Sequence, residues 1–296
     1  MHYDAIIVGG SYAGLAAATQ LARARRRILV VDGGRRRNRQ AERSHGFLTQ
    51  DGAQAAAIAA KGREQLLTYD TVRWIDGTAT GAWRNDAGFQ VQVDGAAPQN
   101  ARTLILATGV VDRLPDLPGL PERWGRHVFH CPYCHGYELG QGEIGVLATS
   151  ALSMHAALML PDWGRTTLFL NGAFEPDGQQ SAQLAARGVR VERSLVDRIE
   201  GRLDLILRNG HVVRLDGLFI STWTEVASPL AAQLGCAFEE GPLGRFIKTD
   251  AAKEASVPGI FACGDAARQP HNLSFAVSDG VQAGVSAHRT LIFGGH

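Results

Sequence analysis

Residues 3–32 read YDAIIVGGSYAGLAAATQLARARRRILVVD. The stretch 3–8 is apolar and predicts a short strand, and the alanine-rich stretch 15–24 predicts a helix. The glycine-rich stretch 9–14 predicts a turn between them, and residues 28–31 predict a second strand. A strand, a glycine-rich turn, a helix and a second strand form the βαβ unit with which many proteins bind dinucleotides.

The turn of this unit carries the first predicted cofactor contacts. Gly9, Gly10 and Gly14 would let the backbone approach a pyrophosphate at the N-terminus of the helix, where free N–H groups and the helix dipole favour negative charge. Ser11 occupies the position of the middle glycine, which is a small departure from the pattern. Asp32 ends the second strand, at about the spacing expected for the acid that binds a ribose hydroxyl.

Two further motifs occur later in the chain. Residues 107–109 read Ala-Thr-Gly at a predicted strand end, and residues 257–265 form an apolar strand that ends in Gly264-Asp265. Together with the opening turn, these motifs resemble those of flavoproteins built from two dinucleotide-binding domains. The resemblance implies bound FAD, contacts from Thr108, Gly109 and Gly264, and a carboxylate of Asp265 that holds the ribityl chain. The alternative is that Asp265 is only a turn residue before a helix.

A pair of cysteines supplies a second kind of chemistry. Residues 130–138 read HCPYCHGYE, so that Cys131 and Cys134 are separated by two residues. Thiols at this spacing close a small, easily opened disulfide, and their pKa values are readily lowered. Zinc would need four ligands, whereas Cys236 and Cys263 are isolated, and a structural staple is not expected in a chain of this size without a secretory leader. We therefore predict a redox-active pair and no metal site.

The cysteine motif and its surroundings resemble those of the low-molecular-weight thioredoxin reductase family, and the resemblance extends over nearly the whole chain. His before the pair and His-Gly-Tyr-Glu after it are similar to the dithiol oxidase branch, which includes the gliotoxin and holomycin enzymes. Residues 45–52, which read HGFLTQDG, also resemble that branch. Ordinary thioredoxin reductases have an Asp acid/base after the second cysteine. His135 replaces it, and this predicts proton chemistry nearer neutral pH.

The resemblance also implies roles for individual residues. Cys134 would be the sulfur that faces the flavin, and Cys131 the one that exchanges with substrate. His130 and His135 are candidates for accepting thiol protons, since only a thiolate attacks a disulfide. Asp279 could orient one of the histidines. The alternatives are a packing or hydrogen-bonding role for each histidine and a turn or helix-start role for Asp279.

The resemblance predicts an α/β fold with two Rossmann-like three-layer domains. Residues 1–113 and 244–296 would form an FAD domain, and residues 114–243 an inserted domain that carries the cysteines. The inserted domain has a strand at 144–147, but the turn at 148–153 has no glycine, and Asn171-Gly172 stands where reductases have an arginine pair for NADP. We therefore expect a degenerate nicotinamide domain. The alternative is a non-standard loop that still binds NADPH.

These features favour an FAD-dependent dithiol oxidase that closes a disulfide in a small-molecule or peptide dithiol and passes the electrons to dioxygen. The alternatives are a reductase fed by NADPH, a reductase fed by ferredoxin that docks on the arginines of residues 25–39, and a redox sensor without turnover. The net charge of +1 argues against nucleic acid as a partner, and no apolar stretch is long enough to span a bilayer. We expect a cytoplasmic enzyme, and the family resemblance implies a homodimer.

Overall fold

The computed structural model describes residues 2–294 and divides into two compact units. The first unit consists of the chain up to Arg37, residues Gln54–Val111, and the chain from Thr224 onward. The second unit consists of Asn38–Ala53 and Asp112–Trp223. Each unit contains a parallel sheet with helices, so the expected α/β fold class is confirmed.

The first unit contains a seven-stranded sheet in which the opening strand is central. The strands in order across the sheet are Val72–Asp76, Ile28–Asp32, His2–Val8, Gln99–Leu106, Gly88–Val93 and Ala79–Asn85, with Ile260–Ala262 also paired to Gln99–Leu106. Five of these strands run parallel to one another: Val72–Asp76, Ile28–Asp32, His2–Val8, Gln99–Leu106 and Ile260–Ala262. Gly88–Val93 and Ala79–Asn85 are antiparallel to the strands beside them. Both faces of the parallel part are buried, as its continuous apolar strands require.

Within residues 2–294, this unit has four α-helices: Tyr12–Arg23, Ala55–Leu67, Leu230–Gln233 and Leu273–Phe293. The first and last pack closely because small residues meet at their contact. A Cβ built on Gly280 would lie 2.1 Å from the carbonyl oxygen of Ala13, and one on Gly284 would lie 2.5 Å from that of Ala17. The glycines therefore set the distance between the two helices.

A separate four-stranded sheet contains the strands in which the chain leaves and rejoins the first unit. Its strands in order are Phe238–Gly241, Gly244–Ile247, Trp223–Val226 and Val110–Arg113. Thr224 pairs with Gly244 in parallel, and the amide of Ala227 donates to the carbonyl of Gly109. Because of these bonds, the chain belongs to the first unit from residue 224.

The second unit contains a five-stranded parallel sheet and a smaller antiparallel one. The parallel strands in order are Val128–Phe129, Gly217–Ile220, Gln141–Leu147, Gly164–Phe169 and Arg190–Glu192. The antiparallel strands are Val196–Glu200, Asp204–Leu207 and Val212–Arg214. The α-helices are Pro132–His135, Ser153–Met159 and Gly178–Ala186. The last begins with a capping box, in which Asp177 and Gln180 each accept a hydrogen bond from the other's backbone amide. Short strands Arg43–Ser44 and Ala53–Gln54 close a hairpin.

Single turns of 3-10 helix complete the secondary structure at Arg37–Gln40, Pro121–Arg123, Tyr137–Leu139, Leu160–Asp162 and Gly264–Ala267. No helix within residues 2–294 combines the length and the apolar character that crossing a bilayer requires.

The compact units differ from the expected domain bounds in three places, and the smallest difference is that Asp112 and Arg113 lie in the second unit. Residues 224–243 lie in the first unit rather than in the inserted one. Their strands Trp223–Val226 and Phe238–Gly241 both pair with Gly244–Ile247, which belongs to the first unit. Residues 38–53, expected within the first part of the FAD domain, belong to the second unit. The assignment of the units as an FAD domain and an inserted domain stays a prediction.

Candidate functional site

The glycine-rich turn follows the central strand His2–Val8 and needs its glycines for steric reasons. Gly9 has a φ of +106°, and a Cβ there would lie 2.2 Å from the carbonyl oxygen of Ala107. A Cβ on Gly14 would lie 1.8 Å from the carbonyl oxygen of Gly9. Larger residues would push the helix away from the strand end, so the turn brings bare backbone to the carboxyl edge of the sheet.

Ser11 and Asp32 stand where the sequence predicts them. Ser11 is the residue before helix Tyr12–Arg23, and within the described chain its side chain makes no capping hydrogen bond. The first-turn amides are therefore open to an anionic group. Asp32 ends the neighbouring strand, and its Cβ lies 2.8 Å from where a Cβ of Gly10 would be. The turn, the helix N-terminus and a carboxylate thus meet at one edge, which fits a dinucleotide.

Thr108 and Gly109 follow the strand Gln99–Leu106, next to the turn. The Thr108 hydroxyl is buried, and it has no hydrogen-bond partner among residues 2–294. Gly109 has a φ of +68°, and no described atom lies within 4 Å of where its Cβ would be. A buried hydroxyl without a partner is costly unless a ligand atom satisfies it. These residues therefore fit a polar cofactor.

Asp265 lies in the turn Gly264–Ala267, directly after the strand Ile260–Ala262. Its Oδ2 accepts a hydrogen bond from Nη1 of Arg37 at 3.1 Å, and the same nitrogen is 2.7 Å from Nδ1 of His271. The partly buried carboxylate is therefore held in place by a fixed cation. This arrangement keeps the side chain of Asp265 oriented, as the predicted ribityl contact requires.

Asp279 lies in the same unit and is almost fully buried. Its Oδ1 is 2.9 Å from Nζ of Lys253 and 3.2 Å from Nη1 of Arg268, whereas Oδ2 is buried without a partner in the described chain. Two cations therefore neutralise the residue predicted to orient a histidine. That predicted role stays a prediction, and the geometry supports a structural role for Oδ1.

The two remaining cysteines are buried thiols. Burial raises the pKa of Cys236 to about 11, and burial together with the charge of Asp279 raises the pKa of Cys263 to about 12. Both are protonated at neutral pH, so neither is a nucleophile there. Within residues 2–294 no three side chains of His, Cys, Asp and Glu are grouped as metal ligands.

The predicted redox pair is closed in the structure. Cys131 and Cys134 form a disulfide, with their Cα atoms 5.3 Å apart. Cys131 precedes the one-turn helix Pro132–His135, and the amide of Cys134 donates to the carbonyl of Cys131 at 3.2 Å. Both cysteines are partly exposed, so a thiol can approach them from solvent.

The two histidines beside the disulfide lie in different environments. His135 stacks on Phe129 with ring centroids 4.2 Å apart, and burial, with a smaller contribution from His45, lowers its pKa to about 4. The expectation that His135 titrates near neutral pH is therefore wrong, because its imidazole is desolvated. His130 is exposed, and its ring centroid is 6.0 Å from that of Trp124.

His45 and Glu138 were not predicted as site residues. Nδ1 of His45 lies 3.2 Å from Oε1 of Glu138 and 3.7 Å from Oδ1 of Asp51. This contact joins the hairpin to the turn Tyr137–Leu139, which follows the cysteines. The sequence signals were the resemblances of residues 45–52 and of the His-Gly-Tyr-Glu stretch that ends at Glu138, and neither gave a partner for His45.

The turn that was expected to have lost its phosphate site is occupied by its own hydroxyl groups. The amide of Thr149 donates to Oγ of Ser153 at 3.2 Å, and the amide of Leu152 donates to Oγ of Ser150 at 3.3 Å. The Thr149 hydroxyl donates to the carbonyl of Ser221 at 2.9 Å. Amides that would face phosphate in a nucleotide-binding turn are thus already hydrogen-bonded.

Comparisons with known proteins agree with this geometry. The pyridine nucleotide-disulphide oxidoreductase family model matches residues 3–280. Thioredoxin reductase tcpT of Claviceps purpurea is 34% identical over 304 residues, which cover 98% of this chain and 94% of that protein.

Solved structures agree as well. The crystal structure of the oxidoreductase from Agrobacterium tumefaciens is similar with a TM-score of 0.97 and 52% identity, over 99% of both chains. The crystal structure of HlmI is similar with a TM-score of 0.89 and 33% identity, over 98% of this chain and 92% of that one.

Proposed function

Because the chain belongs to the pyridine nucleotide-disulphide oxidoreductase family and is an FAD-dependent disulfide oxidoreductase, we propose that it is a dithiol oxidase. It would close a disulfide in a small-molecule or peptide dithiol through Cys131 and Cys134. Dioxygen would be the final electron acceptor. The observation that carries the proposal is a disulfide on the same unit as a nucleotide-type turn whose amides are capped by Ser150 and Ser153.

FAD is the cofactor of this family, and the residues of the first unit fit it. Gly9, Gly10, Ser11 and Gly14 would face the pyrophosphate at the start of helix Tyr12–Arg23. In addition, Asp32 would bind the ribose and Asp265 the ribityl chain, with Thr108, Gly109 and Gly264 beside them. Bound there, FAD would supply two-electron chemistry: the pair of electrons from the reduced cysteines would pass through it to dioxygen, which would become hydrogen peroxide.

The chemistry of the cysteines is thiol–disulfide exchange. A substrate thiolate attacks Sγ of Cys131, forming a mixed disulfide as the Cys131–Cys134 bond breaks and Cys134 leaves as a thiolate. The second substrate thiolate attacks the substrate sulfur of that mixed disulfide, and Cys131 leaves as a thiolate. The substrate has then lost two electrons and two protons. The electrons are held by the two reduced cysteines.

The two protons need acceptors. His135 is neutral at physiological pH because its pKa is lowered to about 4, so it can take up a proton from a thiol only transiently and pass it to solvent. His130 is exposed and is the second candidate acceptor. A neutral His135 is thus suited to relaying a proton rather than storing it.

A reductase is the second candidate function, because the relative from Claviceps purpurea is named a thioredoxin reductase. A reductase needs electrons from NADPH or ferredoxin. The self-capped turn at residues 148–153 and Asn171, whose Oδ1 accepts the amide of Val196, weigh against NADPH. The electron donor therefore separates the two candidates.

Two further features of the proposal concern the whole protein. We propose that it acts in the cytoplasm and as a homodimer. Val281, Val285 and Ile292 are exposed on one face of helix Leu273–Phe293 and offer an apolar surface for a second copy.

Anaerobic mixing tests the proposed function. Dithiothreitol, NADPH and reduced ferredoxin are each mixed with the yellow protein, and flavin absorbance is followed; air is then admitted and hydrogen peroxide is measured. We expect rapid bleaching by dithiothreitol, none by NADPH or ferredoxin, and stoichiometric peroxide. The variants Cys131→Ser and Cys134→Ser should keep FAD, and dithiothreitol should bleach their flavin at least a hundredfold more slowly, as loss of a covalent catalyst predicts. Bleaching by NADPH would favour the reductase.

A further inference from the structure

The hairpin of residues 43–54 holds one histidine away from solvent. Its strands Arg43–Ser44 and Ala53–Gln54 pair, and inside it the amide of Gly46 donates to Oδ1 of Asp51 at 2.7 Å. Leu48 at the tip is 84% exposed, whereas the side chain of His45 is only 16% exposed. A hairpin with an exposed tip and one sheltered histidine directs that histidine toward the rest of the second unit.

His45 faces the segment that carries the disulfide. Nδ1 of His45 lies 3.2 Å from Oε1 of Glu138, which is four residues after Cys134 in the chain. The titratable groups that face His45 are Glu138 from the turn Tyr137–Leu139, Asp51 from the hairpin, and His135 from the helix Pro132–His135. The electrostatic contribution of His45 lowers the pKa of His135 and so disfavours a positive charge on it.

We infer that His45 is a positioning residue for the redox reaction: through Glu138 it fixes the turn after Cys134 and so orients His135 beside the cysteines. The inference rests on the proposed redox role of Cys131 and Cys134. His45 touches neither substrate nor cofactor in this role, and it acts through Glu138 and His135. The hairpin is therefore part of the redox site although it is distant from the cysteines in the chain.

The arrangement explains why His135 works as a neutral base. Stacking on Phe129 removes water from one face of the imidazole, and the charge of His45 opposes protonation. A neutral imidazole can accept the proton of an incoming thiol, whereas an imidazolium cannot. If His45 is replaced by a neutral residue, the pKa of His135 should rise, so that a larger fraction of His135 is protonated on the acid side.

The test measures cleavage of the Cys131–Cys134 disulfide by dithiothreitol without oxygen. Thiols are trapped with methyl methanethiosulfonate, which reacts with thiols in acid, and counted by mass spectrometry from pH 3 to pH 9, a range that includes the pKa of His135. We expect His45→Gln to slow cleavage about tenfold at neutral pH, as misplacement of a reacting group predicts, and to move the acid limb of the profile to higher pH. FAD content should not change.

Glu138 variants separate position from charge. Glu138→Ala should slow disulfide cleavage by as much as His45→Gln does. Glu138→Gln keeps an acceptor for His45, and its cleavage rate should be close to that of the wild type. Because the two residues act as one pair, the double variant His45→Gln/Glu138→Ala should cleave the disulfide no more slowly than either single variant. His211→Gln, an exposed histidine of the same unit, is the matched control and should leave the profile unchanged.

Two results would overturn the inference: an unchanged pH profile in His45→Gln, or losses that add in the double variant. The proposed function can fail separately. If the wild type consumed no dioxygen while dithiothreitol still opened its disulfide with the expected dependence on His45, the oxidase proposal would fall and the positioning role would stand.

Discussion

At the residue scale, Asp265 combines a predicted cofactor contact with a fixed partner. Its carboxylate is held by Arg37 at 3.1 Å. Hydrogen bonds to charged groups contribute about 1.5–3 kcal/mol, so Asp265→Ala should weaken FAD binding by at least about tenfold. The ratio of flavin absorbance to protein absorbance after purification and dialysis measures the loss. Asp70→Asn, an exposed aspartate of the same unit, should purify fully yellow. A yellow Asp265→Ala protein would remove Asp265 from the cofactor site.

At the element scale, the contact between helices Tyr12–Arg23 and Leu273–Phe293 positions the turn that would meet the pyrophosphate. Gly284→Ala would place a Cβ 2.5 Å from the carbonyl oxygen of Ala17, and overpacking of this kind costs about 1–3 kcal/mol. We expect lower stability in urea and weaker FAD binding. Gly178→Ala is the matched control, since no described atom lies within 4 Å of its added Cβ, and stability should be unchanged or rise by up to about 1 kcal/mol. Equal effects of the two substitutions would contradict a role for close helix contact.

The sequence predicted the elements that local patterns define, and it missed those that depend on distant contacts. The strand, turn and helix from His2 to Arg23 follow from apolar runs and glycines, and the structure has them with their bounds shifted by a few residues. The contact of His45 with Glu138 joins segments far apart in the chain, so no local pattern predicts it. The low pKa of His135 depends on burial against Phe129, and a sequence does not display burial of a polar ring.

At the scale of the whole molecule, the exposed apolar face of helix Leu273–Phe293 is the feature that bears on assembly. Val281, Val285 and Ile292 lie on one face because their spacing matches helical turns. We expect a solution mass of twice 31.7 kDa by light scattering. Val285→Glu should shift the protein toward the monomer with FAD retained, because burying an unpaired charge is costly. Val212→Glu, on an exposed strand position, should leave the mass unchanged. A monomeric wild type would contradict the proposed homodimer.

The chain passes between the two units four times, after Arg37, Ala53, Val111 and Trp223. Neither unit is therefore encoded by one continuous stretch of the gene. Suppose that recombination replaced only residues 112–223 with the matching segment of another protein. The hairpin would then still be the original one, and His45 would lie against a turn from the other protein that need not contain Glu138. A working graft would have to carry residues 38–53 as well. The redox unit can thus be inherited or transplanted only as two pieces that have been matched to each other.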